Sequence, residues 1–247
     1  MKLRCLLPLI LVATPAWAIV PPEYEDPETP FSAEVEFGLQ VTSGNTTASS
    51  VNGRTKLIYE TDDNKQEGNL RAYFASDSEK TTAEQYQVQF QSDHKFSDGD
   101  YLYGRGDLSW DTFGSFTKQY IVSTGYGFDA IKTRKSKLSF EAGPGYRYSL
   151  PNVSTEVPDP HPTREIIFRA ASKFEQKLQQ YTTLNADLTT EVGQENTVTT
   201  LDLSYKNLFF RDWALKVGLF VRHNKVVPAD SKRTDTVTTI NLLYTFE

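Results

Sequence analysis

The residues best equipped for chemistry in this chain are five charged ones, Arg105, Asp107, Asp129, Glu141 and Arg147, and three histidines, His94, His161 and His223. Opposed charges in a confined space either hold one another in place or line a constriction that sorts charged and zwitterionic solutes. The five fall in the polar phase of three successive segments, so one lumen charge network is expected from them. Both signs are present, which leaves the ion preference open. A hydrolase would need a serine within hydrogen-bond reach of an imidazole and a third group to orient the ring. Ser92 and His94 lie two apart on one face of a segment, whereas His223 has Asn224 beside it and no serine one pleat away. His161 sits in the proline-rich stretch PNVSTEVPDPHPT. No catalytic residues are assigned on this evidence, and a membrane-embedded hydrolase is the alternative reading. Metal-ligand spacings, a glycine-rich phosphate loop and a nucleophile elbow are all missing from the sequence, so neither a metal nor a cofactor is expected.

What must position these groups is a run of strands. Phe31, Ala33, Val35, Phe37, Leu39 and Val41 alternate with Ser32, Glu34, Glu36, Gly38, Gln40 and Thr42. Successive side chains of a strand point to opposite faces, so the segment has one apolar and one polar side. Twelve such segments are predicted, from Phe31–Thr42 to Asp235–Glu247, joined by turn-forming stretches such as TDDNK, SDGD and FRD. The two longer links, Pro151 to Thr163 and Val226 to Thr234, follow the seventh and eleventh segments. With the N-terminus inside, odd-numbered links are the outward ones, and those are expected to be long.

A soluble barrel would bury the apolar phase and a membrane barrel would show it to lipid. Charges at mid-segment in the polar phase (Arg54, Lys56, Arg71, Arg169, Lys173, Asp187, Lys216) favour the membrane. So do aromatics near segment ends, among them Trp110, Tyr120, Tyr148, Trp213 and Phe246. The predicted fold is therefore all-β, a transmembrane antiparallel up-and-down barrel of about twelve strands. In this arrangement an arginine at Leu203 or Leu242 is expected to be costly, and one at Asn185 or Asn241 far less so.

The N-terminus supplies an address. Lys2 and Arg4 precede an apolar stretch from Leu6 to Ala13, and Ala16-Trp17-Ala18 is a small-x-small cleavage site. The expected organisation is a signal peptide over 1–18, a flexible periplasmic leader over 19–30 (IVPPEYEDPETP), and a barrel over 31–247. The single cysteine, Cys5, falls in the signal, so the mature chain has no disulfide or thiol chemistry. The chain has 26 Lys and Arg against 32 Asp and Glu; without Lys2 and Arg4 the basic count is 24 and the net charge −8, which argues against nucleic acid. Expected partners are outer-membrane lipid and lipopolysaccharide, the barrel insertion machinery, and small solutes. Acidic residues of outward links, such as Asp77, Glu79, Glu156 and Asp159, read as solvated loop charges. A surface-binding protein working through its loops is a further alternative, with little loop surface to support it.

Ser43-Gly44-Asn45-Thr46 at the tip of the first segment and Glu141-Ala142-Gly143-Pro144-Gly145-Tyr146-Arg147-Tyr148 resemble the salt-induced outer-membrane proteins of the YdiY-like group. The likeness runs from about Phe31 to Phe246. It implies a bacterial outer-membrane β-barrel with a domain of unknown function, whose expression is linked by name to salt; the role expected of the chain as a whole is that of a narrow, porin-like channel or a structural, stress-related envelope protein. It implies no substrate, catalytic residue or cofactor. The last segment keeps Ile240, Leu242, Tyr244 and Phe246 in phase, although Glu247 follows the terminal aromatic.

Overall fold

A computed structural model describes residues 30–43, 48–77, 80–97, 99–153, 159–227 and 232–246. The expected signal peptide, the leader up to residue 29, Gly44, Asn45, Thr46, Glu79, Glu156 and Glu247 lie outside the described residues. Twelve strands follow one another: β1 (Phe31–Ser43), β2 (Ala48–Glu60), β3 (Asn64–Asp77), β4 (Lys80–Lys95), β5 (Asp100–Asp111), β6 (Phe116–Lys132), β7 (Ser136–Pro151), β8 (Thr163–Gln179), β9 (Thr182–Gly193), β10 (Thr197–Phe210), β11 (Trp213–Asn224) and β12 (Thr234–Phe246). Each pairs antiparallel with its chain neighbours, and β1 pairs with β12 from Ala33↔Phe246 to Ser43↔Thr236. Closure removes the sheet edges, so every wall strand has a partner on both sides. No helix among the described residues is long and apolar enough to cross a membrane. The predicted all-β, twelve-strand, up-and-down barrel is the fold observed, and the strand ends fall within three residues of those predicted.

The faces are assigned by two neighbours: Phe37 is 65% exposed while Glu36 is 2% exposed. The apolar phase therefore points out and the charged phase in, the reverse of a water-soluble barrel. An outer surface made of Leu39, Ile166, Phe168 and Ile240 is stable only in an apolar surround. Aromatic rings mark its two borders. Trp110, Tyr120 and Tyr148 pack in series at one end, the first pair edge to face and the second stacked, with the Arg164 guanidinium over Tyr148. At the other end are Phe96, Tyr126, Phe128 and Phe140, with Trp213, Tyr244 and Phe246 further round. Such rings suit the two lipid–water interfaces. A closed sheet of this kind resists detergent until boiled, so unheated protein is expected to migrate differently from boiled protein on a detergent gel. Identical migration, with β-dominated circular dichroism absent, would contradict the closed barrel.

The β6–β7 seam is unusual and explains the glycine-rich motif. Gly125 of β6 and Gly143 of β7 approach so closely that a Cβ on either would sit about 2 Å from the opposing carbonyl oxygen, at 2.1 Å from Ala142 O and 2.0 Å from Thr124 O. Pro144, beside it, has no N–H to give the ladder, and its ring lies on the exposed, outward face. Gly127 likewise leaves room for the Tyr101 ring. This bare strip on the inner wall makes space for Tyr101, Tyr103 and the groups they surround.

Candidate functional site

The inward phase of twelve strands delivers the lumen side chains, and these sort into layers. Near the inner rim Lys95 donates to Glu60 (2.7 Å) and to Thr61 O (2.9 Å), and Lys137 lies 3.7 Å from Asp129. At mid-height Glu141, with only 1% of its side chain exposed, accepts from Arg169 (2.8 Å), Lys173 (2.7 Å), Gln91 (2.9 Å) and Tyr101 (3.2 Å). Arg169 also stacks on the Tyr103 ring. Arg105 donates to Gln91 (3.1 Å) and pairs with Asp107 (3.4 Å). On the opposite wall Glu36 accepts from Lys216 (2.7 Å) and Asn241 (2.8 Å), with Arg54 at 3.6 Å.

Near the outer rim Arg147 is buried against Glu165 (2.7 Å) and Glu191 (3.4 Å) and donates to Asn196 O. The other Glu165 oxygen accepts from the backbone N–H of Glu195 and Asn196, at 2.8 and 3.4 Å. Gly193 has no side chain to obstruct this, since a Cβ there would meet Glu165 at 2.1 Å. The β9–β10 turn is thus tied down into the barrel by one buried ion pair.

The five residues expected to form one network divide among three of these layers. Gln91 links Arg105, Asp107 and Glu141 into one cluster. Asp129 stands apart with Lys137, and Arg147 stands apart with Glu165 and Glu191. The partners of Glu141 come from β8, β4 and β5, not from β6, the neighbouring strand that carries Asp129.

Among the described residues, contacts join strands five apart across the lumen. Arg71 of β3 reaches Asp202 of β10 at 3.2 Å, and Arg222 of β11 donates to Gln119 of β6. Each pair is five strands apart in a ring of twelve, so each spans nearly a full diameter. β6 and β11 lie on opposite sides of the β3–β10 line, and the two contacts therefore cross in projection. Below them a cavity of about 1180 Å³ extends to the inner rim at Glu60 and Lys95. Above them a smaller one of about 210 Å³ reaches Gly114, Phe116 and Asn224 near the outer rim. Arg54, Arg71, Asp202, Gln119 and Arg222 line both, which places the crossing at the level where the two cavities meet. Gln119, Asp202 and Arg222 carry no signal within their own strands, because their partners are 103 and 131 residues away in sequence.

The serine and histidine that could suggest a hydrolase have other partners. Ser92 accepts from Gln66 (2.9 Å), and His94 bonds Asn64 (3.1 Å). His223 bonds Thr234 (2.9 Å) on the exposed outer surface. Among the described residues no group of three or more His, Cys, Asp or Glu side chains is placed to hold a metal.

A closed antiparallel barrel with an apolar girdle outside and a charged, braced lumen inside defines the class: an outer-membrane β-barrel. Solved structures agree on that fold. The NanC porin matches with a TM-score of 0.56 at 12% identity, over 86% of this chain and 98% of its own. An outer membrane channel from Pseudomonas putida F1 gives 0.53 at 12% identity over 93% and 100%. The translocator domain of the autotransporter NalP from Neisseria meningitidis gives 0.56 at 11% identity over 88% and 89%. At such identities the likeness concerns the fold alone. No curated protein sequence matches the chain. The chain belongs to the family described as Protein of unknown function, DUF481, whose model matches residues 35–246.

Proposed function

We propose that the protein is a narrow channel of the bacterial outer membrane for small hydrophilic solutes. The observation that carries this reading is that, among the described residues, side chains and not backbone separate the two lumen cavities. Every described element is a wall strand, and the barrier between the cavities is the pair of contacts Arg71–Asp202 and Arg222–Gln119. Contacts of that kind open by rotamer changes, which are fast, whereas a folded plug would have to leave the barrel. Porin and channel folds among the similar structures support the same reading. Export rests on the cleavage site after Ala18, and insertion on the in-phase terminal strand Ile240, Leu242, Tyr244 and Phe246. The likeness to the salt-induced YdiY-like group supports a role in the envelope's response to salt, with lipopolysaccharide around the outer rim.

Purified protein refolded into planar bilayers tests this directly. Discrete conductance steps, small beside those of a wide porin, are expected, and they should grow when Gln119→Ala removes one cross-lumen partner. A wild-type protein and a Gln119→Ala variant that are both inserted and both silent would overturn the channel reading.

A further inference from the structure

We propose that the level at which the lumen is crossed is a filter for small anions, with Arg54, Arg71 and Arg222 receiving a carboxylate or phosphate group in passage. This rests on the channel reading and adds the class of solute to it. The lumen as a whole holds both signs in comparable numbers, so its total charge decides nothing. Selectivity is set where a solute loses most of its water, and a ring of charged side chains acts there.

At that level three guanidiniums face one carboxylate, Asp202. Every other nearby acid is matched or displaced from the ring. Glu36 is withdrawn into the wall and is shared by Lys216, Asn241 and Arg54, so that two cations divide one carboxylate there. Asp107 is matched by Arg105 and accepts from Gln87 and Gln89. Glu191 is held by Arg147. Asp187, beside Asp202 in the β9–β10 ladder, faces the larger cavity on the inner side. Asp111 and Asp235 line the smaller cavity on the outer side. The arginines themselves are under-matched. Arg54 shares the Glu36 carboxylate (3.6 Å) with Lys216 and gives its other donors to the neutral amide of Asn69 (2.9 and 3.3 Å), and Arg222 donates to the neutral amide of Gln119. The Nε atoms of both Arg71 and Arg222 are buried without a hydrogen-bond partner.

A planar guanidinium fork offers two parallel donors to a carboxylate or phosphate and holds its charge at any physiological pH. An incoming oxyanion therefore replaces what the arginines lack. It takes the place of Asp202 on Arg71 and of Gln119 on Arg222, and so loosens both crossings as it binds. A cation of the same size meets three like charges at the same level, with Asp202 in the ring and Asp187 on its inner side to offset them. The contacts that close the lumen are thus ones an anion can exchange and a cation cannot.

The test uses the refolded full chain in planar bilayers under a potassium chloride gradient, with potassium acetate and potassium phosphate as the other salts. Wild-type reversal potentials are expected to show anions several-fold more permeant than potassium. Asp202→Asn, which removes the one carboxylate of the ring, should raise that ratio. Arg71→Gln with Arg222→Gln should bring it to about unity or below, as expected when a charged ring is neutralised. Phosphate should also reduce chloride current in the wild type and lose that effect in the double variant. Because the two sets of substitutions act in opposite directions, a folding defect cannot imitate the pattern. A conducting wild type that is unselective or prefers potassium would overturn the anion filter and leave the channel reading standing. Inserted protein that conducts in none of these forms would overturn both.

Discussion

Replacing Glu141 by alanine is expected to lower the barrel's unfolding free energy by about 3–5 kcal/mol, the cost typical of leaving a buried charge without its partner. The size follows from which cation is stranded. Lys173 is about one-third exposed and can turn its ammonium to lumen water. Arg169 has 3% of its side chain exposed, lies against Tyr103, and has nowhere else to go. Most of the loss therefore belongs to Arg169. Glu141→Gln keeps an acceptor oxygen and should cost less than alanine. Exchanging both partners for apolar side chains of similar volume, Glu141→Leu with Arg169→Met, should recover much of the loss, since no buried charge is then left over. Urea unfolding of the refolded variants in lipid vesicles measures all three. If Glu141→Ala unfolds like the wild type, the mid-height cluster does not hold the barrel.

The second large effect lies on the outer face. Leu242 points away from the lumen and is 44% exposed there, so an arginine at this position must place its charge in hydrocarbon. The expected cost is about 2–4 kcal/mol near the bilayer midplane, falling towards the interfaces. Asn185 lines the larger cavity, and an arginine there adds a charge to a wet, already charged wall. It should be tolerated with little loss. The same unfolding assay compares them, and equal damage at both positions would mean that the two faces are reversed.

Asn241 marks the limit of what alternation can tell. Its phase is that of Asn185, and from sequence both read as tolerant lumen positions. In the barrel it is 5% exposed and donates to Glu36, and its Oδ1 sits 2.2 Å from where a Cβ of Gly38 would be. A longer side chain has no room at that site. The periodicity of a strand reports which face a residue takes, but not how crowded that face is. The twelve strands and the outward apolar phase were legible because each depends only on residues close in sequence. Pairing across the lumen depends on azimuth and height, which the tilt and stagger of a closed sheet decide. Arg105 and Asp107 lie two apart on one strand, so their meeting could be anticipated. Arg71 and Asp202 meet only because five strands carry their walls round to face each other. Gln91, an uncharged residue that joins Arg105 to Glu141, could not stand out from the alternating glutamines Gln85, Gln87 and Gln89 on the same strand.

The two lumen-spanning contacts also bear on how the molecule answers a squeeze from its surroundings. A thin-walled hoop yields to sideways load most easily by ovalising, lengthening along one axis as it shortens along the other. A tie along a single axis leaves the other axes soft. Here the β3–β10 and β6–β11 ties run in different directions across one level, so flattening the hoop along either line must stretch or crush a hydrogen bond. Lateral pressure in a tightly packed outer leaflet would be resisted at that level by the side chains that also narrow the passage. Cross-sectional stiffness and permeability are then not separate properties of this barrel, and loosening one loosens the other.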